Sequence, residues 1–212
     1  MKFKTQYISL LLLVFISLLP VSIFASEADC GKLDNGFGPF DYLKKNVLYE
    51  ELQVVEVHHF TSEVEQLIQG KEGYIWADID YTLRAFPNHH RALFAMARYQ
   101  LKHPTEHISN QKLRSIECYF DRASRLSPND AVVYMVWGIY LHKQNKNLRS
   151  AEEKYKYAMS MGLKSSEIYY NYGLLLYDLK QYNDSKKMAE KAYKMGFPLL
   201  GLKKKLQKIN AW

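Results

Sequence analysis

One segment of this chain repeats itself, and the repeat restricts the fold more than any other feature. Tyr134-Met-Val-Trp-Gly138 returns as Tyr169-Tyr-Asn-Tyr-Gly173, 35 residues on. Further along the offset is 34: Ala151 matches Ser185, Tyr155 matches Ala189, Ala158 matches Ala192, and Met161-Gly162 matches Met195-Gly196. A one-residue difference in the turn between them accounts for the change. Backwards, Phe120, Ala123 and Pro128 stand 35 residues before Tyr155, Ala158 and Leu163, and Leu93, Met96 and Ala97 supply the preceding helix. A period near 34 marks helix pairs that cannot bury their apolar faces alone and stack on their neighbours. The small residues fall where helix axes must approach. Gly138 and Gly173 are expected at the crossing inside a unit, and Ala123, Ala158 and Ala192 between units. A larger side chain there would push the axes beyond the roughly 8–10 Å of normal contact.

With these residues in place, the chain resembles the tetratricopeptide repeat family. That pattern wants a bulky residue, an apolar-small pair, a small residue and a late aromatic. The middle unit supplies Tyr134, Trp137-Gly138, Ala151, Tyr155 and Ala158. The last supplies Tyr169, Tyr172-Gly173, Ser185, Ala189, Ala192 and Pro198, with Ala189 in place of the aromatic and the proline one residue late. The first, through Leu93, Met96-Ala97, Phe120, Ala123 and Pro128, carries an insertion between its helices. That piece, 103–115, contains Pro104, Ser109 and Asn110 and reads as a projecting loop. The stretches Gly38-Pro-Phe-Asp-Tyr42 and Asp80 to Arg91 are similar to small exported repeat proteins of Gram-negative bacteria, a resemblance that implies architecture and compartment and no reaction.

The expected fold is therefore all-α: a tetratricopeptide-like solenoid of about three helix-turn-helix repeats (89–128, 131–164 and 166–198). An irregular N-terminal arm over 26–60, punctuated by Gly31, Gly36, Gly38 and Pro39, precedes it. Between them, 61–88 reads as a degenerate repeat. Ser62 and Glu65 give a capping-box start for a helix from Glu63 to Gln69, and Ile75, Ile79, Leu83 and Phe86 mark a second one that stops at Pro87. Residues 199–212 read as a capping helix, with Leu199, Leu202, Leu206 and Ile209 inward and lysines outward.

The N-terminus has another character. Lys2 and Lys4 precede an apolar and hydroxyl run from Ile8 to Phe24, followed by Ala25, Ser26 and Ala28. This is the order of a secretory signal peptide, over 1–25, and it implies a periplasmic protein. The alternative is an uncleaved inner-membrane anchor facing the periplasm, since the run approaches the roughly 20 residues that span a bilayer. Pro20 and Ala25 favour cleavage, and Asp29 before Cys30 argues against a lipoprotein. Export gives meaning to the two cysteines, Cys30 and Cys118: an oxidising compartment lets them pair, tying arm to helices. The other reading is two inert thiols. Without Lys2 and Lys4 the formal charge falls from +7 to +5. Spread over several helices, that excess argues against nucleic acid as partner.

Residues that could carry chemistry do not assemble into a site. His58-His59 and His89-His90 are adjacent and so point apart, and Pro104 breaks the helical spacing of His103 and His107, so no metal site is expected. Asp78 and Asp80 diverge on a helix and read as its exposed face. No phosphate loop or nucleophile elbow is present. No catalytic residue, cofactor or small-molecule substrate is therefore expected, and the chain reads as a non-enzymatic binding protein.

The resemblance implies where a partner protein or peptide would lie, because in the family the first helix of each unit lines a concave groove. Carried over, the groove comprises Arg91, Phe94, Arg98, Leu101 and Lys102; then Val132, Met135, Ile139, His142 and Lys143; then Glu167, Tyr170, Asn171, Leu174, Tyr177 and Asp178. Such a surface suits a segment with apolar side chains and an acidic group for Arg91 and Arg98. The carboxylate clamp known in one branch is not met, because Ala95 and Val136 occupy the places equivalent to Asn171. Two other expectations stay open: assembly by self-association through the inserted loop and capping helix, and service as an accessory subunit of an envelope enzyme complex.

Overall fold

The computed structural model describes residues 30–110 and 112–212. The segment 1–25, expected to be a signal peptide, and the first residues of the arm lie outside them. Every regular element among the described residues is a helix. No helix among them is long and apolar enough to cross a membrane.

Helix α1, Tyr49–His59, stands where the sequence reads as irregular arm. Only Leu52 and Val55 on it are buried, while Val54 and Val57 face water, so the apolar residues do not follow one face and the helical period is blurred. Helix α2, Ser62–Glu65, ends four residues before the expected Gln69, and Thr61 rather than Ser62 stands at its N-cap. Helix α3, Ile75–Ala85, runs up to Phe86 and Pro87, as the proline requires. Helix α4, His90–Lys102, presents Ala92, Leu93, Ala95, Met96 and Ala97 to the interior.

The insertion is tied down rather than projecting freely. It contains α5, Glu106–Ser109, whose Glu106 accepts from the Tyr99 hydroxyl at 2.7 Å. Leu113 is buried, and Gln100 clamps the return of the chain through Arg114 O at 2.7 Å and Ile116 N at 2.8 Å. Helix α6, Ile116–Leu126, then buries Ile116, Tyr119, Phe120 and Ala123 on one stripe.

The remaining helices come in two hairpins of matching construction. Helices α7, Ala131–Gln144, and α8, Leu148–Ser160, form the first; α9, Ser166–Asp178, and α10, Tyr182–Lys194, form the second. Asp130, Asn147 and Ser165 cap α7, α8 and α9 by accepting from Val132 N, Ser150 N and Ile168 N. The turns repeat as well: Asn145 and Lys180 both take positive φ, as do Gly162 and Gly196, where glycine adopts that region without a Cβ penalty. Ala151, Tyr155 and Ala158 are wholly buried at positions where the second hairpin buries Ser185, Ala189 and Ala192. A Cβ on Gly138 would lie 3.2 Å from the Tyr155 ring, so this glycine sets the spacing of α7 on α8. At Gly173 the closest obstacle is Leu202 at 2.6 Å, on the terminal helix α11, Gly201–Lys208.

Helices α4, α7, α9 and α11 pack in succession, each on the next, while α6 packs against α4 and α7, α8 against α7 and α9, and α10 against α9 and α11. The core runs through this contact as continuous clusters. Helix α11 buries Leu202 and Leu206; Leu199 and Ile209, expected on the same face, are 59% and 37% exposed.

The arm is fastened to α3, the start of α4, and α6. Cys30 and Cys118 form a disulfide, with Cα atoms 5.0 Å apart. Arg122 and Arg125 donate to Lys32 O and Gly31 O, and Phe40 N donates to Ala85 O at 2.8 Å. A polar knot closes the far end: Asn88, buried, accepts from Tyr42 N and donates to Asp41 and Asp130. His89 caps α4, its Nδ1 accepting from Ala92 N, so its proton resides on Nε2 and is donated to Glu56 at 2.9 Å. His90 pairs with Asp130 at 2.8 Å. Burial holds the His89 pKa below its ordinary value, and the His89 hydrogen bond holds Glu56 low.

Asp78 and Asp80 are not the exposed pair that their spacing suggests; both are buried, and both are satisfied. Asp78 receives Lys71 N, Glu72 N and His59, and Asp80 receives Arg84, Arg114 and the Tyr119 hydroxyl. They point to different neighbours, as residues two apart on a helix must.

Candidate binding cleft

A cleft of about 320 Å³ opens across three helices: Phe94, Ala97, Arg98 and Leu101 from α4, Ile139, Tyr140 and Lys143 from α7, and Asn171 from α9. Six residues expected in the groove meet here: Phe94, Arg98, Leu101, Ile139, Lys143 and Asn171. Its floor is apolar, and Phe94 remains 39% exposed. The helical register explains the convergence, because Phe94, Arg98 and Leu101 share one side of α4 at intervals of four and three. Two cations flank this floor. Arg98 lies over the Phe94 ring, 5.9 Å from its centroid, and reaches only Glu65 O, at 3.4 Å. Neither Arg98 nor Lys143 is ion-paired to a carboxylate among the described residues, although the charge of Arg98 acts on nearby Glu65.

A second cleft, of about 450 Å³, adjoins the first at Lys143 and is lined also by His142, Asn145, Leu148, Leu174, Asp178 and Lys205. It gathers three more expected residues, His142, Leu174 and Asp178. His142 contacts Asp178 at 2.8 Å, and Lys205 reaches the other carboxylate oxygen at 3.5 Å. Burial holds the His142 pKa down, with Asp178 opposing, so at neutral pH its Nε2–H donates to the carboxylate. This lining carries no hydroxyl or thiol nucleophile, and the pair acts as a strut joining α7, α9 and α11.

The other expected residues lie elsewhere. Arg91 turns toward α1 and α2, paired with Glu65 and with Glu56, and rests on the Phe60 ring. Its carboxylate partners come from helices that the repeat pattern leaves out of account. Tyr170 points inward, stacked on Phe197 with centroids 4.1 Å apart and only 8% exposed, because α11 covers that side of α9. Met135 packs on the core around Tyr155, and Val132 on the core around Met96. Tyr177 packs against Tyr182 under the ammonium of Lys205. Lys102 and Glu167 are exposed outside both linings.

The sequence reading misses a third cleft, of about 530 Å³, among α6, α7 and α8, lined by Tyr134, Trp137, Tyr157, Lys154, Asp121, Glu153 and Ser124. Its aromatic surface is already in use. Phe120 stacks on Trp137, and the Lys154 ammonium lies 3.6 Å from the Trp137 ring centroid. The arm, fastened to α3 and α6, contributes to none of the three linings.

No family model, curated protein or solved structure matches the chain.

Proposed function

We infer that this chain is an exported helical-repeat protein of tetratricopeptide type whose cleft across α4, α7 and α9 grips a segment of a partner protein. The observation that carries this reading is the make-up of the cleft: an apolar floor drawn from three successive helix pairs, flanked by Arg98 and Lys143, neither of them ion-paired to a carboxylate among the described residues. An extended or helical segment fits that surface if an apolar side chain enters between Phe94 and Ile139 while an acidic one meets the cations. The acidic contact falls to Arg98 and Lys143, because Arg91 is already paired. A rigid aromatic and an arginine are the usual energetic anchors of such contacts. Export is supported by the N-terminal apolar run and by the disulfide, which an oxidising compartment permits. The role is binding rather than chemistry.

Capture from envelope extract tests this. The wild-type chain is expected to retain a discrete protein that Phe94→Ala and the pair Arg98→Glu with Lys143→Glu lose, while Lys112→Glu retains it. Should the cleft variants fold and recover the same proteins as wild type, the cleft is not the site.

A further inference from the structure

We propose that the C-terminal end of the helical body is a docking surface for an anionic lipid bilayer. After Glu190 the sequence carries Lys191, Lys194, Lys203, Lys204, Lys205 and Lys208 and no acidic side chain. Three of these are engaged: Lys191 over the Tyr169 ring, Lys203 over the Trp212 ring, and Lys205 with Asp178. Lys194, Lys204 and Lys208 are exposed and have no carboxylate partner among the described residues.

Interleaved with these cations in sequence are apolar side chains that the fold leaves in water. Met195 is 51% exposed, Leu199 59%, Leu200 52% and Ile209 37%. They occupy the end of α10, the connection to α11 and the residue after α11. Helix α11 has already buried Leu202 and Leu206, so this second set has no place in the core.

Charge decides what covers the surface. A second copy of the chain docked patch to patch would bring lysines against lysines, with only Asp178, already held by Lys205 and His142, to offset them. Nucleic acid would neutralise the lysines and leave the leucines wet. A bilayer surface with anionic headgroups answers both features at once, as phosphates meet the ammonium groups and the leucines enter the acyl boundary. Trp212, half-buried beside Lys203 and Tyr193, belongs to the residue type that settles at this boundary.

The test is flotation of the full chain with vesicles of phosphatidylcholine and with an equimolar mixture of phosphatidylcholine and phosphatidylglycerol. The N-terminal apolar run can itself carry the chain onto vesicles, so the comparison is made at the lipid concentration that half-binds the wild type, where differences between variants report the patch. Lys204→Glu with Lys208→Glu is expected to lower partition onto the mixed vesicles by at least about 30-fold, from about fivefold for each cation lost at the surface, with repulsion by the new carboxylates adding to it. Leu199→Ser with Leu200→Ser lowers it without altering the helical spectrum, and the control pair Lys112→Glu with Lys146→Glu leaves it within about twofold, a change far below that of a single surface cation. Equal partition of all variants overturns the proposal. So does wild-type binding that is indifferent to phosphatidylglycerol, or recovery of the patch bound to an acidic protein with no vesicle preference.

Discussion

Replacing Cys30 and Cys118 together by serine tests how the arm is held. The bridge joins residues 88 apart in sequence. The loop-closure expression for a loop of that size gives about 4.6 kcal/mol of stability, acting through the unfolded chain, and native bridges removed from other proteins cost about 2–5 kcal/mol. On the folded side little else changes, because Arg122, Arg125 and the Phe40–Ala85 hydrogen bond still fasten the arm. A loss of about 3–4 kcal/mol is therefore expected. With a urea slope near 2 kcal/mol per molar, the unfolding midpoint falls by roughly 1.5–2 M, and the slope rises as the unfolded chain expands. Intact mass before and after reduction checks the starting state, with a gain of two protons. Hydrogen exchange should show the Phe40 amide, bonded to Ala85 O, and the amides of α7 and α9 still protected. A midpoint shift under about 0.3 M would refute the reasoning, since the unfolded chain would then have gained almost no freedom from the cut.

Other perturbations have expected signs. Acid should weaken the fold through the polar knot: His89 is held below its unfolded value of 6.5 and Glu56 below 4.5. Stability is then level above pH 6.5 and declines as pH falls through each value; urea midpoints at pH 8, 6 and 5 check this, and a rise on acidification contradicts it. Gly138→Leu, whose side chain would enter the Tyr155 ring, should cost about 1–3 kcal/mol by urea unfolding, and no loss would mean that α7 and α8 are not in contact there. Tyr155→Phe removes a buried hydroxyl with no partner among the described residues, and should raise stability by about 1 kcal/mol; a clear loss would show that the hydroxyl is satisfied.

Features with local causes were legible in the sequence. Ala151, Ala158, Ala189 and Ala192 lie in the core because helical spacing alone puts them on one face, and the two-cysteine count pointed to the bridge that forms. Phe94, Arg98 and Leu101 came from the family resemblance, and the register of a single helix brings them together. What escaped depends on distant partners. Arg91 is drawn away by Glu56 and Glu65, from helices that no repeat pattern reveals. Asp78 and Asp80 go inward because donors arrive from Lys71, Arg114 and Tyr119. Tyr170 is covered by α11, and α1 hides behind Val54 and Val57 on its wet face.

Photocrosslinking in intact cells tests the cleft most directly, with a photoreactive residue placed in turn at Phe94, Leu101 and Ile139 and, as control, at Lys146. Binding in the cleft predicts one adduct with a different protein, shared by the three cleft positions, missing at Lys146, and abolished by Arg98→Glu with Lys143→Glu. Adducts equally strong at Lys146, or of twice the chain's own mass, would contradict it.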